Sequence, residues 1–559
     1  MSLAHAQGGA PTVARVTAPI PHPSDDPTHH DAVEAYCGRL SCVAGEEVTL
    51  HVRCTTERYD VEVIRWGATR EVVWSATDLP GSVPDTPADA DSRGCGWPVS
   101  LRIPTGPQWR SGFHHVRLRA HGAPAGRDVG DACVVVRPVE PTARALLVIA
   151  TNTYNAYNNW GGRSLYTGAH RVSFRRPFGR GMIDRTPTER DDRKAPPVRF
   201  GEQPDVDGEA YQRFRHAHDL PGYMSSAGWF TYERRFVEWA EREGLAFDTA
   251  ISSDLAEHPE LLDGYEVLLS VGHDEYWSAG QRDAVERFVA CGGNVVSMSG
   301  NTMFWQVRLE DDEHDADGAG DADDGAAGGE VGDGHRSAAM TCWKYRAHEL
   351  DPVVADGRPQ LMTGMWADPV VGRPETSILG AGSAWGLYSR FGQATPRGAG
   401  AFTVYRDGHW LFEGTGLRYG DLLGRDHGVV GYETVGCRLT FDEYQLPVAA
   451  GGDGTPADIE VVAFCPSSNL MMGEYPSSIA ALDDQGDLEF VASRLFGRVD
   501  ADSIARVRHG NAVMVVSRPY GTSGGEVVTI GSTDWVYGLA DPAVARVTRN
   551  AIERAADRA

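Results

Sequence analysis

Lysine is almost missing from this chain of 559 residues: of its 52 basic residues only Lys194 and Lys344 are lysine. A GC-rich genome or a salt-adapted surface produces such a skew. A net charge of −26 argues against a nucleic-acid partner, because phosphate backbones need clustered Lys and Arg. No run of about 18 apolar residues is present, which excludes a spanning helix and a membrane role of that kind. Met-Ser-Leu-Ala-His-Ala-Gln has neither a basic start nor an apolar stretch, so no secretory signal is expected there. The nine cysteines form no Cys-x-x-Cys pair, which speaks against a zinc ribbon and for a reducing cytoplasm. Five of them precede residue 140, where one disulfide stays open.

What is there is a globular composition, 41% hydrophobic and 23% charged. It is enough chain for about two to four domains with real cores. Residues 1–33, rich in Ala, Pro, His and Asp, read as a disordered arm. From 34 to 138 the pattern is short period-2 runs such as "EEVTLHVRC", "DVEVIRWG", "HHVRLRAHG" and "ACVVVRP", broken by Gly, Pro and Asp. That spacing predicts an all-β, immunoglobulin-like sandwich. Residues 139–144 read as a linker.

After Arg144 the grammar changes. "ALLVIATN", "AFDTAIS", "YEVLLSVGH" and "NVVSMSGN" are continuous apolar strands, interleaved with the helical patterns "YERRFVEWAEREGL" and "SAGQRDAVERFVACGG". Fully apolar strands alternating with helices predict a doubly wound α/β domain over 145–559, its sheet covered on both faces. Such sheets place sites beyond the carboxyl ends of their strands. The acidic stretch 310–335 fits no calcium-loop register and reads as a solvated insertion. Gly357 to Gly436 reads as loop-rich, and 541–556 as a closing helix.

One stretch at a strand end stands out. "TNTYNAYNNWGGRSLY" (151–166) packs three tyrosines and four asparagines around a Trp-Gly-Gly turn, more phenols than a plain loop concentrates. "SVGHDEYWS" sets His273, Asp274 and Glu275 at the end of the next strand, and "SMSGNTMFW" sets Asn301 at the end of the one after. Each has a structural explanation alone: Asp274 or Ser278 can cap the following helix, and Asn301 can fill a left-handed turn. Together, on one sheet edge, they point to a site. Phenolates and carboxylates are hard oxygen donors, suited to Mg²⁺, Mn²⁺ or, best for ionising a phenol, ferric iron. A metal of that kind supports hydrolysis.

"TYNAYNNWGG", "GHDEYWS", "SGNTMFW" and "GYE" (431–433), in this order, resemble the C-terminal catalytic region of the N,N-dimethylformamidase large subunit, over roughly 145–556. The resemblance implies a glutamine-amidotransferase-like (flavodoxin-like) domain, here preceded by a β-sandwich. It also implies one iron ion held by two tyrosines and a glutamate, hydrolysis of a small amide, and a small companion subunit or a homo-oligomer. Residue by residue it gives Tyr157, Tyr166 and Glu275 as ligands, with His273, Asn301 and Glu433 as catalytic residues. The family separates its tyrosines by more than the eight residues found here, so Tyr154 and Tyr223 remain alternates. Asp274 stands where proline is common. Two other readings compete. One is a non-catalytic binding scaffold on a degenerate amidotransferase fold. The other is a thiol amidotransferase, which the elbow opposes by carrying His-Asp-Glu and no cysteine; Cys291, late in the next helix, reads as a buried apolar residue.

Overall fold

The computed structural model describes residues 30–185, 209–311, 337–476 and 486–557, apart from the single positions 393, 397 and 399. Most of the N-terminal arm, 1–29, and of the acidic stretch, 312–335, therefore lies outside the described residues. The margins of both expectations need correcting. Val33 opens a strand, Val33–Cys37, and Glu310 ends another, Trp305–Glu310, where it pairs with Ala339.

The period-2 runs form two sheets around one core. Val33–Cys37, Glu47–Cys54 and Leu101–Pro104 make the first. The second orders Ser41–Val43, Val129–Arg137, Gly112–Ala120, Arg58–Trp66 and Arg70–Pro80. Val48, Leu50, Val61, Val63, Val116 and Val134 meet between them. Each such side chain withdrawn from water contributes about 1.5–3 kcal/mol. Arg70–Pro80 was not expected, because an edge strand with most residues exposed shows little apolar alternation. No disulfide forms: all nine cysteines are free, and Cys291, at the end of its helix, is exposed rather than buried.

The sandwich is no separate bead. Within Arg58–Trp66 the strict alternation gives way to four successive buried residues, Val63 to Trp66, because a second layer covers the outer face. Ile64, Trp66, Phe113 and Val135 there join the same core as Leu147, Val271 and Trp229, and the Phe113 and Trp229 rings stack at 4.0 Å.

The large sheet begins with five parallel strands in the spatial order Asp248–Ile251, Ala145–Ile149, Val267–His273, Asn294–Gly300, Val527–Ile530. In chain order that is 2-1-3-4-5, a doubly wound arrangement whose direction reverses beside Ala145–Ile149. Alternate residues face opposite cores. Leu147, Ile149, Leu269 and Val271 meet Phe236 and Ala240 of the helix Glu233–Arg242 and Val547 and Ala551 of Pro542–Asp557. Leu146, Val148, Leu268 and Val295 meet Val285, Phe288 and Val289 of Ala279–Ala290. Both faces being covered explains why the strands read as unbroken apolar runs. Beyond Val527–Ile530 the sheet continues antiparallel through His509–Ser517 and Glu460–Ser468 to Tyr388–Ser389 and Tyr432–Glu433. The loop-rich reading of 357–436 thus missed very short strands of the main sheet. Among the described residues no helix is long and apolar enough to cross a membrane.

Candidate functional site

His273 is the last residue of its strand, and Glu275 follows just before the short strand Tyr276–Ser278. Ser278, not Asp274, caps the next helix by accepting from Gln281 N. The segment after Ala145–Ile149 is a short buried helix, Thr151–Tyr157. Its Thr and Asn residues are poor helix formers, so tertiary contacts hold it: Asn152 Nδ2 donates to Tyr276 O at 3.2 Å, and Thr153 Oγ1 accepts from Glu275 N at 3.0 Å. The helix and the carboxyl edge of the sheet are thereby locked together. A small sheet of Arg171–Ser173, Ala339–Thr341, Trp305–Glu310 and Tyr276–Ser278 lies alongside.

Two phenols and a carboxylate converge there. Tyr157 OH donates to Glu275 Oε2 at 3.0 Å, and Tyr166 OH lies 2.8 Å from both carboxylate oxygens. The two tyrosine rings stack at 4.1 Å. Trp305 Nε1 donates to Glu275 Oε1 at 2.8 Å, and Tyr276 OH donates to Tyr166 OH at 2.9 Å. On the other side His273 Nε2 is 3.3 Å from Glu275 Oε2 and 2.6 Å from Glu433 Oε2. Its Nδ1 is held 2.6 Å from Ser226 O, which fixes the ring with Nε2 toward the carboxylates.

The electrostatics follow from burial and neighbours. Burial alone would lower the His273 pKa, but the Glu433 and Glu275 carboxylates raise it well above its ordinary value. Nδ1 faces Ser226 O, while Nε2 of His273 and Oε2 of Glu433 sit side by side without a hydrogen bond of good geometry. Burial would raise Glu275, but His273, Lys344 and Tyr166 hold it below the usual range. Glu433 is pushed up, first by burial, against His273 and with help from the charges of Glu275 and Asp487. Burial, then Glu275, pushes both Tyr157 and Tyr166 well up.

The remaining candidates separate. Tyr154 is buried away from the cluster, beside Glu233, whose burial pushes that carboxyl up to about 8. Tyr223 packs its ring 5.5 Å from Tyr166 and 6.2 Å from Tyr157. Asp274 turns to Ser270 Oγ at 2.8 Å, and burial lifts it to about 6. Asn301 adopts a left-handed φ of 49° and accepts from Ser383 Oγ at 2.7 Å, outside the cluster. Glu433 reaches the cluster because Gly300 lets its backbone approach: a Cβ on Gly300 would stand 2.2 Å from Glu433 O.

Sequence reasoning passed over Lys344. Its Nζ lies 3.4 Å from the centroid of the Tyr166 ring, at a left-handed φ of 50°, and a cation so placed is held by the ring's π face. Its rarity in the chain was the available signal. A cavity of about 630 Å³ opens onto the cluster, lined by Tyr157, Tyr166, Tyr223, Lys344 and Glu433 among others.

Two donor sets share Glu275. Single atoms of His273, Glu275 and Glu433 all lie within 4.8 Å of one another, and this buried group could hold a metal once Nε2 of His273 is free of its proton. Tyr157, Tyr166 and Glu275 offer oxygens alone, and a hard trivalent ion fits them at the expense of two phenol protons.

A family model described as "N,N-dimethylformamidase beta subunit-like, C-terminal" matches residues 58–550, beginning well inside the N-terminal sheets. The N,N-dimethylformamidase beta subunit of Alcaligenes sp. is 34% identical over 74 residues, 13% of this chain and 10% of that protein. The protein of the same name from Paracoccus aminophilus matches over the same shares. The aligned segment thus spans about a tenth of these curated relatives.

Proposed function

Since the chain belongs to the N,N-dimethylformamidase beta subunit-like family, we propose that it is a metal-dependent hydrolase of an amide C–N bond, its α/β part glutamine-amidotransferase-like. Tyr157, Tyr166 and Glu275 hold one ferric ion. The supporting observation is the meeting of both phenols on a single buried carboxylate at the carboxyl edge of the sheet. A bound ferric ion supplies Lewis acidity toward the amide carbonyl and acidifies water. The protein's own groups handle the protons. His273 Nε2 and Glu433 Oε2 lie 2.6 Å apart, close enough to pass a proton between them. Glu433 takes a proton from the attacking water as its oxygen joins the acyl carbon. His273 returns one to the departing nitrogen, so that carboxylic acid and amine are released. Asn301 orients the carbonyl or donates to the developing oxyanion. The enzyme works in the cytoplasm, alone as a homo-oligomer or with a small companion subunit.

Elemental analysis with a visible spectrum, followed by an amine-release assay on small amides, tests this. About one iron per chain and a phenolate-to-iron band are expected. A protein purified with zinc, or colourless after loading with iron, overturns the ligand set.

A further inference from the structure

A second group of phenols lines the same cavity. Asp487 opens the helix Asp487–Phe496 and is 4% exposed. Its Oδ1 accepts from Tyr345 OH at 2.7 Å, and its Oδ2 from Tyr388 OH at 2.7 Å and Tyr475 OH at 2.6 Å. None of these partners is cationic. A buried carboxylate is costly unless compensated, and here three neutral donors and the positive end of a helix do it. A phenol that donates to an anion gains π density, which deepens its ring's attraction for a cation. Tyr388 meets Tyr475 edge to face at 5.8 Å and Phe391 at 5.1 Å, so the rings form a continuous wall. Asp487 and its three tyrosines all line the cavity.

The space is polarised. Lys344 stands over Tyr166 with its Nζ 5.9 Å from the Tyr345 ring, and Asp487 sets a negative charge against the tyrosines of the same wall. About 630 Å³ is also the size of pocket that takes drug-sized ligands, far roomier than dimethylformamide needs.

We propose that Asp487, Tyr345, Tyr388 and Tyr475 form a recognition site for an alkylammonium group, so that the substrates are amides carrying a cationic amine remote from the scissile bond. The substrate class rests on the amide-hydrolase reading. The cation site does not, and binding tests it separately.

Choline and its neutral carbon isostere 3,3-dimethylbutan-1-ol are titrated calorimetrically into the wild-type protein, Asp487→Asn and Tyr388→Leu. Choline should bind the wild type at least tenfold tighter than the alcohol, and both substitutions should erase that preference at unchanged metal content. Equal affinity of the wild type for the two compounds overturns the site, and this comparison needs no variant to fold. Amides bearing a trimethylammonium or a tert-butyl terminus are then compared. Wild-type KM should favour the cationic amide at least tenfold, and Asp487→Asn should remove the difference. Hydrolysis of both amides with equal KM overturns the substrate class and leaves the hydrolase reading standing. A choline preference with neither amide hydrolysed retains the cation site and overturns the hydrolase.

Discussion

Tyr157 and Tyr166 both donate to Glu275, which sets them apart from Tyr154 and Tyr223 and separates four otherwise similar substitutions. Tyr157→Phe and Tyr166→Phe each delete one oxygen and keep the ring, so the metal-free protein should lose no more than about 1.5 kcal/mol. In the iron-loaded protein both should weaken or shift the visible band. Tyr154→Phe, beside Glu233, and Tyr223→Phe, which touches the pair through its ring, should leave it unchanged. Bleaching by Tyr154→Phe alone would move the first ligand to that position. Asn301→Ala should keep the iron and lower kcat about 10²–10³-fold if its amide serves the oxyanion. An unchanged kcat would confine Asn301 to its bond with Ser383. The positions of His273 and Glu275 were legible because a doubly wound sheet delivers strand ends to one edge, whereas Asn301, at the next strand end, bonds Ser383 outside the cluster. Glu433 was not legible from topology and entered only through the resemblance, since it sits in a two-residue strand whose approach depends on Gly300. Nor was the Asp487 group, whose tyrosines come from three distant segments with no local pattern.

The element that ties the site to the rest of the chain is the Trp-Gly-Gly turn. Trp160 Nε1 donates to Glu34 Oε1 at 2.7 Å, and Arg163 N donates to Asp91 Oδ2 of the short helix Ala90–Arg93 at 2.6 Å, so the segment ending in Tyr166 is clamped onto the N-terminal region. Gly162 has a φ of 152°, and a Cβ there would stand 2.5 Å from Asp91 Oδ2. Gly162→Ala should therefore cost about 1–3 kcal/mol. It should also weaken iron retention, read by melting and by dialysis against a chelator, whereas Gly292→Ala, with open space around it, should spare the iron. At the other end of the small sheet, Glu310 already pairs with Ala339. Replacing 312–336 by a tight turn should keep iron content and melting temperature, because a shorter closure is entropically easy. The continuous apolar strands were readable for their double coverage. The helix Thr151–Tyr157 was not, because its sequence favours turns and only its neighbours make it helical.

Taken whole, the molecule combines a charge of −26 with acids buried deep in the fold, and this sets its response to pH. Burial pushes Glu233 up to about 8 and Glu375 up to about 7. For an acid raised in the fold, the unfolded chain releases its proton first, so stability falls as pH climbs from about 4.5 to about 8 and is fully present below that window. The melting temperature of the metal-free protein should drop from pH 5 to pH 8, and Glu233→Gln should flatten the slope. A slope identical to wild type would show that Glu233 ionises normally. The scarcity of lysine carries a different consequence. A protease that cuts only after lysine has two bonds to attack, and one of them, Lys344–Tyr345, is in the wall of the cavity, with Lys344 buried over Tyr166. Scission there requires that wall to come away from the Tyr166 ring. The chain thus has a built-in clock for the breathing of its own pocket, one that a bound occupant should slow and that a gel can read.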